Sequence, residues 1–170
     1  MINNKIISLL YIFLLATSAL IVNSCSPDNT SAVIQPAKEV IHRAIGERVK
    51  EIEFKVIEAE GGLETYEIEA KNGRLTIGGS STVAICYAFN TYLKEGCGSM
   101  KTWSGEHMQL PLSWPDFDKR KVTTPYKFRY YLNVVTFGYT TPYWDWARWE
   151  KELDWMALHE IGRASCRERV

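Results

Sequence analysis

The amino-acid sequence predicts an α/β fold in two parts: a small N-terminal α/β sandwich, and a longer strand that leads through a loop into a helix. Between residues 36 and 100, two helical patterns enclose three short segments with alternating apolar residues, and glycines separate these segments. A run of aromatic and β-branched residues, 126–137, is followed by helical spacing. A strand, a loop and a helix form the repeating unit of α/β folds, and ligands gather on such loops.

The sandwich is predicted to be a helix, a three-stranded meander and a second helix, with both helices on one face of the sheet. Pro36 suits the first turn of the first helix, and Gly46 ends or weakens that helix. Asn72 and Gly73 form the dipeptide of a tight hairpin turn between the second and third strands. The predicted ranges, in chain order, are 36–45, 51–59, 65–70, 75–77 and 83–95.

Residues 101–125 are predicted to link the two parts, because they contain prolines among polar residues and show no helical or strand period. We expect Trp103 and Trp114 to pin this linker to the domain surface. The segment 116–121 is expected to be a charged, solvated stretch, and Asp116 and Asp118 lack the further ligands that a metal site would need.

The second part starts with a strand, 126–137, that Gly138 ends. Thr140 or Thr141 can cap a helix whose first turn accommodates Pro142. From Trp144 onward the apolar residues follow helical spacing and predict one buried stripe, consisting of Trp146, Trp149, Leu153 and Met156.

The charged residues of this helix have simple structural interpretations. Arg148 and Glu152 are four positions apart and predict an ion pair on the helix surface. Asp145 is expected in the first turn, where the helix dipole favours negative charge. Glu150 and Asp154 are expected to face solvent, so none of these side chains is predicted to be catalytic.

The loop after the strand is unusually aromatic and is the candidate binding site. Tyr139 and Trp144 lie close in sequence to Asn133, whose amide can both donate and accept hydrogen bonds. Flat aromatic faces beside hydrogen-bonding groups suit a sugar ring, which has apolar C–H faces and polar edges. Asn133, Tyr139 and Trp144 are therefore the predicted substrate-binding residues, although both aromatic side chains could instead serve packing.

The motifs RYY-x-N, WDW-x-RWE and D-W-M-A-L-H, within residues 129–159, resemble the start of the catalytic domain of the α-N-acetylglucosaminidase family. The segment upstream resembles the small N-terminal domain of the same family. The resemblance implies an N-terminal domain over 36–100, a linker over 101–125 and the start of a TIM barrel over 126–159. Val135 departs from the family, in which this position is often cysteine.

The resemblance implies a retaining glycoside hydrolase that removes terminal α-linked N-acetylglucosamine. The family uses two glutamates that lie downstream of residue 160, so no catalytic residue is assigned in this chain. A (β/α)₈ barrel needs about 250 residues, and the 170 residues here provide only its first strand and helix. The fold class is therefore an α/β sandwich followed by an incomplete (β/α)₈ barrel.

Residues 1–24 have the pattern of an export signal of the lipoprotein type. Lys5 precedes the apolar run 6–22, and Ser24 stands just before Cys25, as in a bacterial lipoprotein cleavage box. Cys25 would become the lipidated first residue of the mature chain, and residues 25–35 would form a polar tether. Ordinary signal cleavage nearby and an uncleaved anchor are the alternatives. We expect an exported protein, anchored to a membrane and facing the periplasm or the cell surface.

The net charge, the cysteines and the histidines limit which binding partners and cofactors are expected. Equal numbers of basic and acidic residues leave no net charge, which does not favour nucleic-acid binding. Cys86 and Cys97 are about 16 Å apart along a helical pattern, so we expect both to be unpaired. The three histidines, His42, His107 and His159, do not have the spacing of a metal site, and no cofactor is predicted.

Residues 160–170 are predicted to be an artefact. The sequence IGRASCRERV is the translation of a sequencing adapter, and two preceding adapter bases would complete the codon of Glu160. The family resembled here has glycine at this position, and a first base G followed by AG encodes glutamate. The alternative is a genuine, divergent C-terminus.

The sequence therefore predicts an N-terminal fragment of an exported glycoside hydrolase, inactive by itself. We expect this chain alone to aggregate, or to be protease-sensitive over 126–170. The alternative is a membrane-tethered glycan-binding module without catalysis.

Overall fold

A computed structural model describes residues 29–132 and 140–165 of the chain. Within them, three α-helices, eight strands and two 3₁₀ turns follow one another. The helices are α1 (Asn29–Ile45), α2 (Thr82–Gly96) and α3 (Trp146–Leu158). The 3₁₀ turns are Gly46–Glu51 and Thr141–Tyr143. The strands are β1 (Ile52–Val56), β2 (Thr65–Lys71), β3 (Arg74–Gly79), β4 (Met100–Lys101), β5 (Glu106–His107), β6 (Phe117–Thr123), β7 (Tyr130–Leu132) and β8 (Arg163–Ser165).

The N-terminal part is an α/β sandwich, as the sequence predicts. α1 and α2 pack against each other and cover a four-stranded sheet, and the largest buried side chains between them include Ile41, Ile68, Ile77, Phe89 and Tyr92. Side chains on the other face of the sheet form exposed ion pairs, such as Lys55–Glu53 and Lys71–Glu69. The fold-class prediction is confirmed, because one sheet face is apolar and helix-covered while the other is charged.

The predicted meander is wrong, because the strand order is β1-β3-β2-β6. Asn72 (φ 52°) and Gly73 (φ 75°) make the predicted tight turn, so β2 and β3 pair antiparallel. β1 instead pairs in parallel with β3, in a register that places Ile52 opposite Leu75. Both of these side chains are buried, so this pairing brings the apolar side of β1 into the core.

The linker contributes the fourth strand, which corrects the prediction of a solvated stretch over 116–121. β6 pairs antiparallel with β2, and its Phe117 ring packs edge-on against Tyr92 at 5.6 Å between centroids. Lys119 and Lys121 alternate with the inward residues and bind Glu67 and Glu60 at 3.3 and 2.5 Å. Charged residues on an edge strand discourage pairing with other chains. They are also the reason why the sequence predicted a solvated stretch here and not a strand.

α1 begins at Asn29, seven residues before the predicted start at Pro36, so most of the predicted tether is helical. Proline lacks an N–H and leaves the carbonyl four residues earlier without its helical donor. Packing compensates for this loss: Val33 and Ile34 contact the core, and the Thr82 hydroxyl donates to the carbonyl of Val33 at 2.9 Å. Gly46, with φ 64°, ends α1 as predicted.

α3 begins at Trp146, and its N-cap is Asp145 rather than either predicted threonine. The Asp145 carboxylate accepts from the backbone N–H of Arg148 at 2.8 Å. Pro142 lies in the preceding 3₁₀ turn. The predicted apolar stripe is also wrong, because Trp146 and Leu153 are 68% and 44% exposed. The residues that α3 buries are Glu152, Asp154, Met156 and Leu158.

The strands β7 and β8 pair in parallel across α3, which is the strand–helix–strand arrangement that begins a barrel. The residues of β8 fall in the segment predicted to derive from an adapter, and that origin stays a prediction. Among the described residues, Cys86 and Cys97 are free thiols, as predicted. Burial raises the pKa of the Cys86 thiol to about 12, so this cysteine behaves as a small core residue. No helix in the described ranges is long and apolar enough to cross a membrane.

Candidate functional site

The candidate site is the loop that joins β7 to α3, of which the structure describes Thr140–Asp145. The predicted substrate residues Asn133 and Tyr139, like the predicted lipidation site Cys25, lie outside the described residues. Trp144 is the predicted substrate residue whose surroundings can be given. It stands at the end of the 3₁₀ turn, where its N–H donates to the carbonyl of Thr141 at 3.2 Å.

The Trp144 ring packs against its own helix. The Arg148 guanidinium lies 3.9 Å from the centre of the ring, a cation–π contact, and Trp149 meets the ring edge-on at 5.1 Å. Arg148 is held in turn by Glu152, whose carboxylate accepts from its Nη2 at 2.9 Å. These contacts fix the orientation of Trp144 and occupy part of its surface, so Trp144 supports the loop in addition to any contact with a ligand.

Two neighbouring aromatic side chains are more accessible than Trp144. Tyr143 is 83% exposed and Trp146 is 68% exposed. Neither was among the predicted site residues, because the sequence marks an aromatic cluster without showing which rings face outward. Tyr143 belongs to the 3₁₀ turn that begins with Thr141, and Pro142 restricts the backbone there. This turn presents an aromatic ring on a restrained backbone, a favourable arrangement for stacking on a flat ligand.

Glu152 anchors the helix beneath the loop. It is 1% exposed, and besides Arg148 it accepts from the indole N–H of Trp103 at 3.2 and 3.0 Å. The predicted Arg148–Glu152 pair is confirmed, but its predicted surface position is wrong. Trp103 holds the linker through this hydrogen bond, although its ring is largely exposed. Trp114 holds the linker through its buried ring, and the Arg48 guanidinium lies 4.1 Å from the centre of that ring.

Asp154 is the second buried carboxylate of α3, which corrects its predicted solvent-facing position. Arg43 of α1 donates to both of its oxygens at 2.7 Å, and Glu150 lies 3.9 Å from the same guanidinium. The hydrogen bond to Asp154 is the main cause that raises the pKa of Arg43. These residues and linker residues 101–106 line a groove of about 660 Å³. Because both buried carboxylates already bind cationic or N–H groups, they are structural acceptors here.

His159 and Glu160 end the helix in a compact cap. The His159 ring stacks on Trp155 at 4.7 Å between centroids, and its Nδ1 lies 2.8 Å from the carbonyl of Trp155. Burial lowers the pKa of His159, which favours the neutral ring at this helix end. Burial raises the pKa of the Glu160 carboxyl, and the nearby Arg129 opposes that effect.

Across residues 29–132 and 140–165, no three histidine, cysteine or acidic side chains are grouped as a metal site requires. The aromatic residues of the loop precede α3, and the buried carboxylates of Glu152 and Asp154 bind α3 to Trp103 and Arg43.

Comparisons with known proteins agree with this architecture. The family model of the alpha-N-acetylglucosaminidase N-terminal domain matches residues 35–116, and that of the alpha-N-acetylglucosaminidase TIM-barrel domain matches residues 129–164. The human protein alpha-N-acetylglucosaminidase is 39% identical over 112 residues, which are 65% of this chain and 15% of the human protein.

Solved structures extend the comparison to three dimensions. A family 89 glycoside hydrolase from Clostridium perfringens, in complex with 2-acetamido-1,2-dideoxynojirimycin, matches with a TM-score of 0.77 and 28% identity. The match covers 88% of this chain and 17% of the clostridial chain. A doubly substituted form of the clostridial enzyme, in complex with its substrate GlcNAc-α-1,4-galactose, matches equally well. The chain thus spans about a sixth of the length of the relatives it matches.

Proposed function

The chain belongs to the α-N-acetylglucosaminidase family of glycoside hydrolases, and we propose that it forms the N-terminal part of an exported enzyme that removes terminal α-linked N-acetylglucosamine with retention of configuration. One observation carries this proposal. Two domain models of the same family match in order, and in the structure the matched regions form a sandwich and a strand followed by a helix.

The carboxylates of α3 support a location of the catalytic pair elsewhere in the protein. Retaining glycosidases need two carboxyl groups about 5–5.5 Å apart, one a nucleophile and one an acid. Here Asp145 caps the helix, Glu152 binds Arg148 and Trp103, and Asp154 binds Arg43. Each of these acids already has a structural partner. The chain as given is therefore proposed to be inactive, and the two glutamates of the enzyme to follow it.

The proposed role of the aromatic loop is to contact the sugar. Asn133, Tyr139 and Trp144 are the proposed substrate residues, and the exposed Tyr143 is added to them from the structure. A relative from Clostridium perfringens has been solved with GlcNAc-α-1,4-galactose, which supports a glycan with terminal N-acetylglucosamine as the ligand.

Export and anchoring are proposed from the sequence alone. The apolar run 6–22 and the Ser24–Cys25 junction support a lipoprotein signal. A lipid attached to Cys25 would add an apolar chain that holds the protein at a membrane. Mass spectrometry of the protein from its native host should find a lipidated Cys25 at the N-terminus, and a Cys25→Ser variant should lack the lipid and keep the apolar run 6–22.

Enzyme assays test the proposal directly. The gene should be expressed from its genomic locus through its natural stop codon and assayed with 4-nitrophenyl α-N-acetylglucosaminide. We expect nitrophenol release, with the α-anomer of N-acetylglucosamine appearing first in proton NMR spectra. The 170-residue chain serves as the control and should release none.

The alternative is a membrane-tethered glycan-binding module, which the exposed Tyr143 and Trp146 would also suit. The same preparations distinguish the two functions. Binding of an N-acetylglucosamine-terminated glycan without any release from the genomic protein would contradict the enzyme and favour the module.

A further inference from the structure

α3 has an unusual composition for its buried side. Two of its four buried residues, Glu152 and Asp154, are carboxylates that are 1% and 4% exposed. Burial of a carboxylate without partners is strongly unfavourable. A helix with this sequence therefore needs a specific set of donors beside it before it can pack, and an apolar barrel wall would not provide them.

The N-terminal sandwich and its linker provide those donors. Arg43 of α1 binds both oxygens of Asp154, and Trp103 of the linker donates to Glu152. Arg48 and Trp114 hold the linker against the sandwich. The Arg48 guanidinium packs on the Trp114 ring, and its Nη1 donates to the carbonyl of Pro111 at 2.6 Å. The linker that carries Trp103 is thus held against the sandwich, and Trp103 itself contacts α3.

The C-terminal end of α3 is also completed by the sandwich. The last carbonyl groups of a helix have no donor within the helix. The carbonyl of Leu158 accepts from the Asn90 side-chain amide of α2 at 2.7 Å, and Leu158 itself belongs to the core of the sandwich. Arg129 pairs with Glu64, and its Nε donates to the carbonyl of Glu160 at 2.5 Å.

We propose that the surface formed by Arg43, Asn90 and Trp103 is a docking surface for α3, and that α3 folds as part of the N-terminal domain before any barrel closes. The folding unit would then extend from α1 to the end of α3. It would cross the boundary that the two family models place between residues 116 and 129. This inference goes beyond the proposed function, because it does not depend on any hydrolysis.

The proposal changes what is expected of the chain by itself. The sequence alone suggested aggregation, or protease sensitivity over 126–170. A docked α3 instead predicts protection of residues 146–158, with cleavage in the exposed segment that includes Tyr126, Lys127 and Phe128.

Cleavage between the two parts provides the sharpest test. A specific protease site is inserted between Lys127 and Phe128 of the 170-residue chain, which is kept in mild detergent because of its apolar N-terminus. After complete cleavage, we expect the piece containing α3 to stay bound to the sandwich during size-exclusion chromatography. Separation of the two pieces in buffer without denaturant would overturn the proposal.

Hydrogen exchange of the uncut chain tests the same point by a second route. Backbone amides of residues 152–158 should exchange at about the rate of those in β2 and β3, and more than about tenfold slower than residues 126–128. Exchange of 152–158 as fast as that of 126–128 would also overturn the proposal. Both measurements use the unsubstituted residues of the docking surface, so neither depends on whether a variant folds.

A matched pair of substitutions identifies the contact responsible. Asp154→Asn removes the charge that binds Arg43 at 2.7 Å, whereas Glu150→Gln removes an exposed charge 3.9 Å from the same guanidinium. We expect at least about tenfold faster exchange in 152–158 for Asp154→Asn, and little change for Glu150→Gln. Equal effects of the two substitutions would contradict docking through the buried pair.

Discussion

Arg43 and Asp154, 111 residues apart in the chain, meet in a two-pronged ion pair in which Nε and Nη2 each donate to a carboxylate oxygen at 2.7 Å. The geometry uses the planar fork of arginine, which matches a carboxylate with two parallel hydrogen bonds. The pair connects α1, near the start of the sandwich, to the helix that follows the aromatic loop. The position of that loop therefore depends on the N-terminal domain.

Arg43→Lys should weaken the protein although it keeps the positive charge. A lysine ammonium cannot form the two parallel bonds, so one oxygen of the buried Asp154 loses its donor. We expect a loss of about 1–2 kcal/mol in the free energy of unfolding, measured by urea denaturation. His42→Gln is the matched control, because His42 is exposed and its hydrogen-bonding partner is Glu47, at 3.2 Å. A loss no larger than that of the control would contradict the importance of the fork.

Gly73→Ala should be more destabilising than Gly98→Ala. Both glycines have positive φ, 75° and 62°, so alanine introduces backbone strain at either position. A Cβ on Gly73 would lie 2.5 Å from the Ser113 hydroxyl oxygen, whereas one on Gly98 would meet nothing within 4 Å. We expect a loss of about 1 kcal/mol at Gly98 and a larger loss at Gly73, read from thermal unfolding. A Ser113→Gly change should restore part of the difference.

Local signals predicted much of the sandwich. The Asn72–Gly73 turn and the second helix were both predicted, since turn and cap residues act over a few positions. In the structure the Ser81 hydroxyl caps α2 by accepting from the N–H of Ala84 at 3.1 Å. The parallel pairing of β1 with β3 could not be predicted in this way, because alternation identifies a strand without specifying its neighbour.

The buried face of α3 shows why the site was harder to predict. The spacing of apolar residues predicted that Trp146 and Leu153 are buried, but both are exposed. It did not predict the burial of Glu152 and Asp154. Burial of these carboxylates depends on Trp103 and Arg43, which are 49 and 111 residues away in sequence. No pattern within the helix indicates such distant donors. The sequence likewise shows that Tyr143 is aromatic, but it does not predict that the Tyr143 ring is exposed.

His159 should make stability depend on pH in a defined direction. Burial lowers its folded-state pKa below the unfolded value of 6.5, so the unfolded chain binds the proton first as the pH falls. The contribution of His159 is therefore present above pH 6.5 and lost as the pH falls through and below it. Urea midpoints at pH 7.5 and 5.5 should show a smaller loss for His159→Gln than for the unsubstituted chain. An equal loss in both proteins would contradict this assignment.

Glu160 occupies a backbone conformation that favours glycine. Its φ is 63°, and it follows the C-cap residue of α3. The N–H of Ile161 donates to the carbonyl of Met156 at 3.0 Å, and the N–H of Glu160 to that of Ala157 at 3.4 Å. This pair of bonds is the Schellman motif, in which the left-handed position is usually glycine. The half-buried carboxyl of Glu160 adds a polar group where the motif needs only backbone.

Glu160→Gly should therefore stabilise the chain by about 1 kcal/mol, because it removes the clash of Cβ with the left-handed backbone. Glu160→Ala is the control that removes the carboxyl but keeps the Cβ, and it should recover clearly less. Sequencing the genomic locus past the codon of His159 tests the origin of Glu160. We expect a glycine codon at position 160, as in the family resembled. A glutamate codon in genomic DNA, together with equal stability of the glycine and alanine variants, would show that this helix end evolved with Glu160 in place.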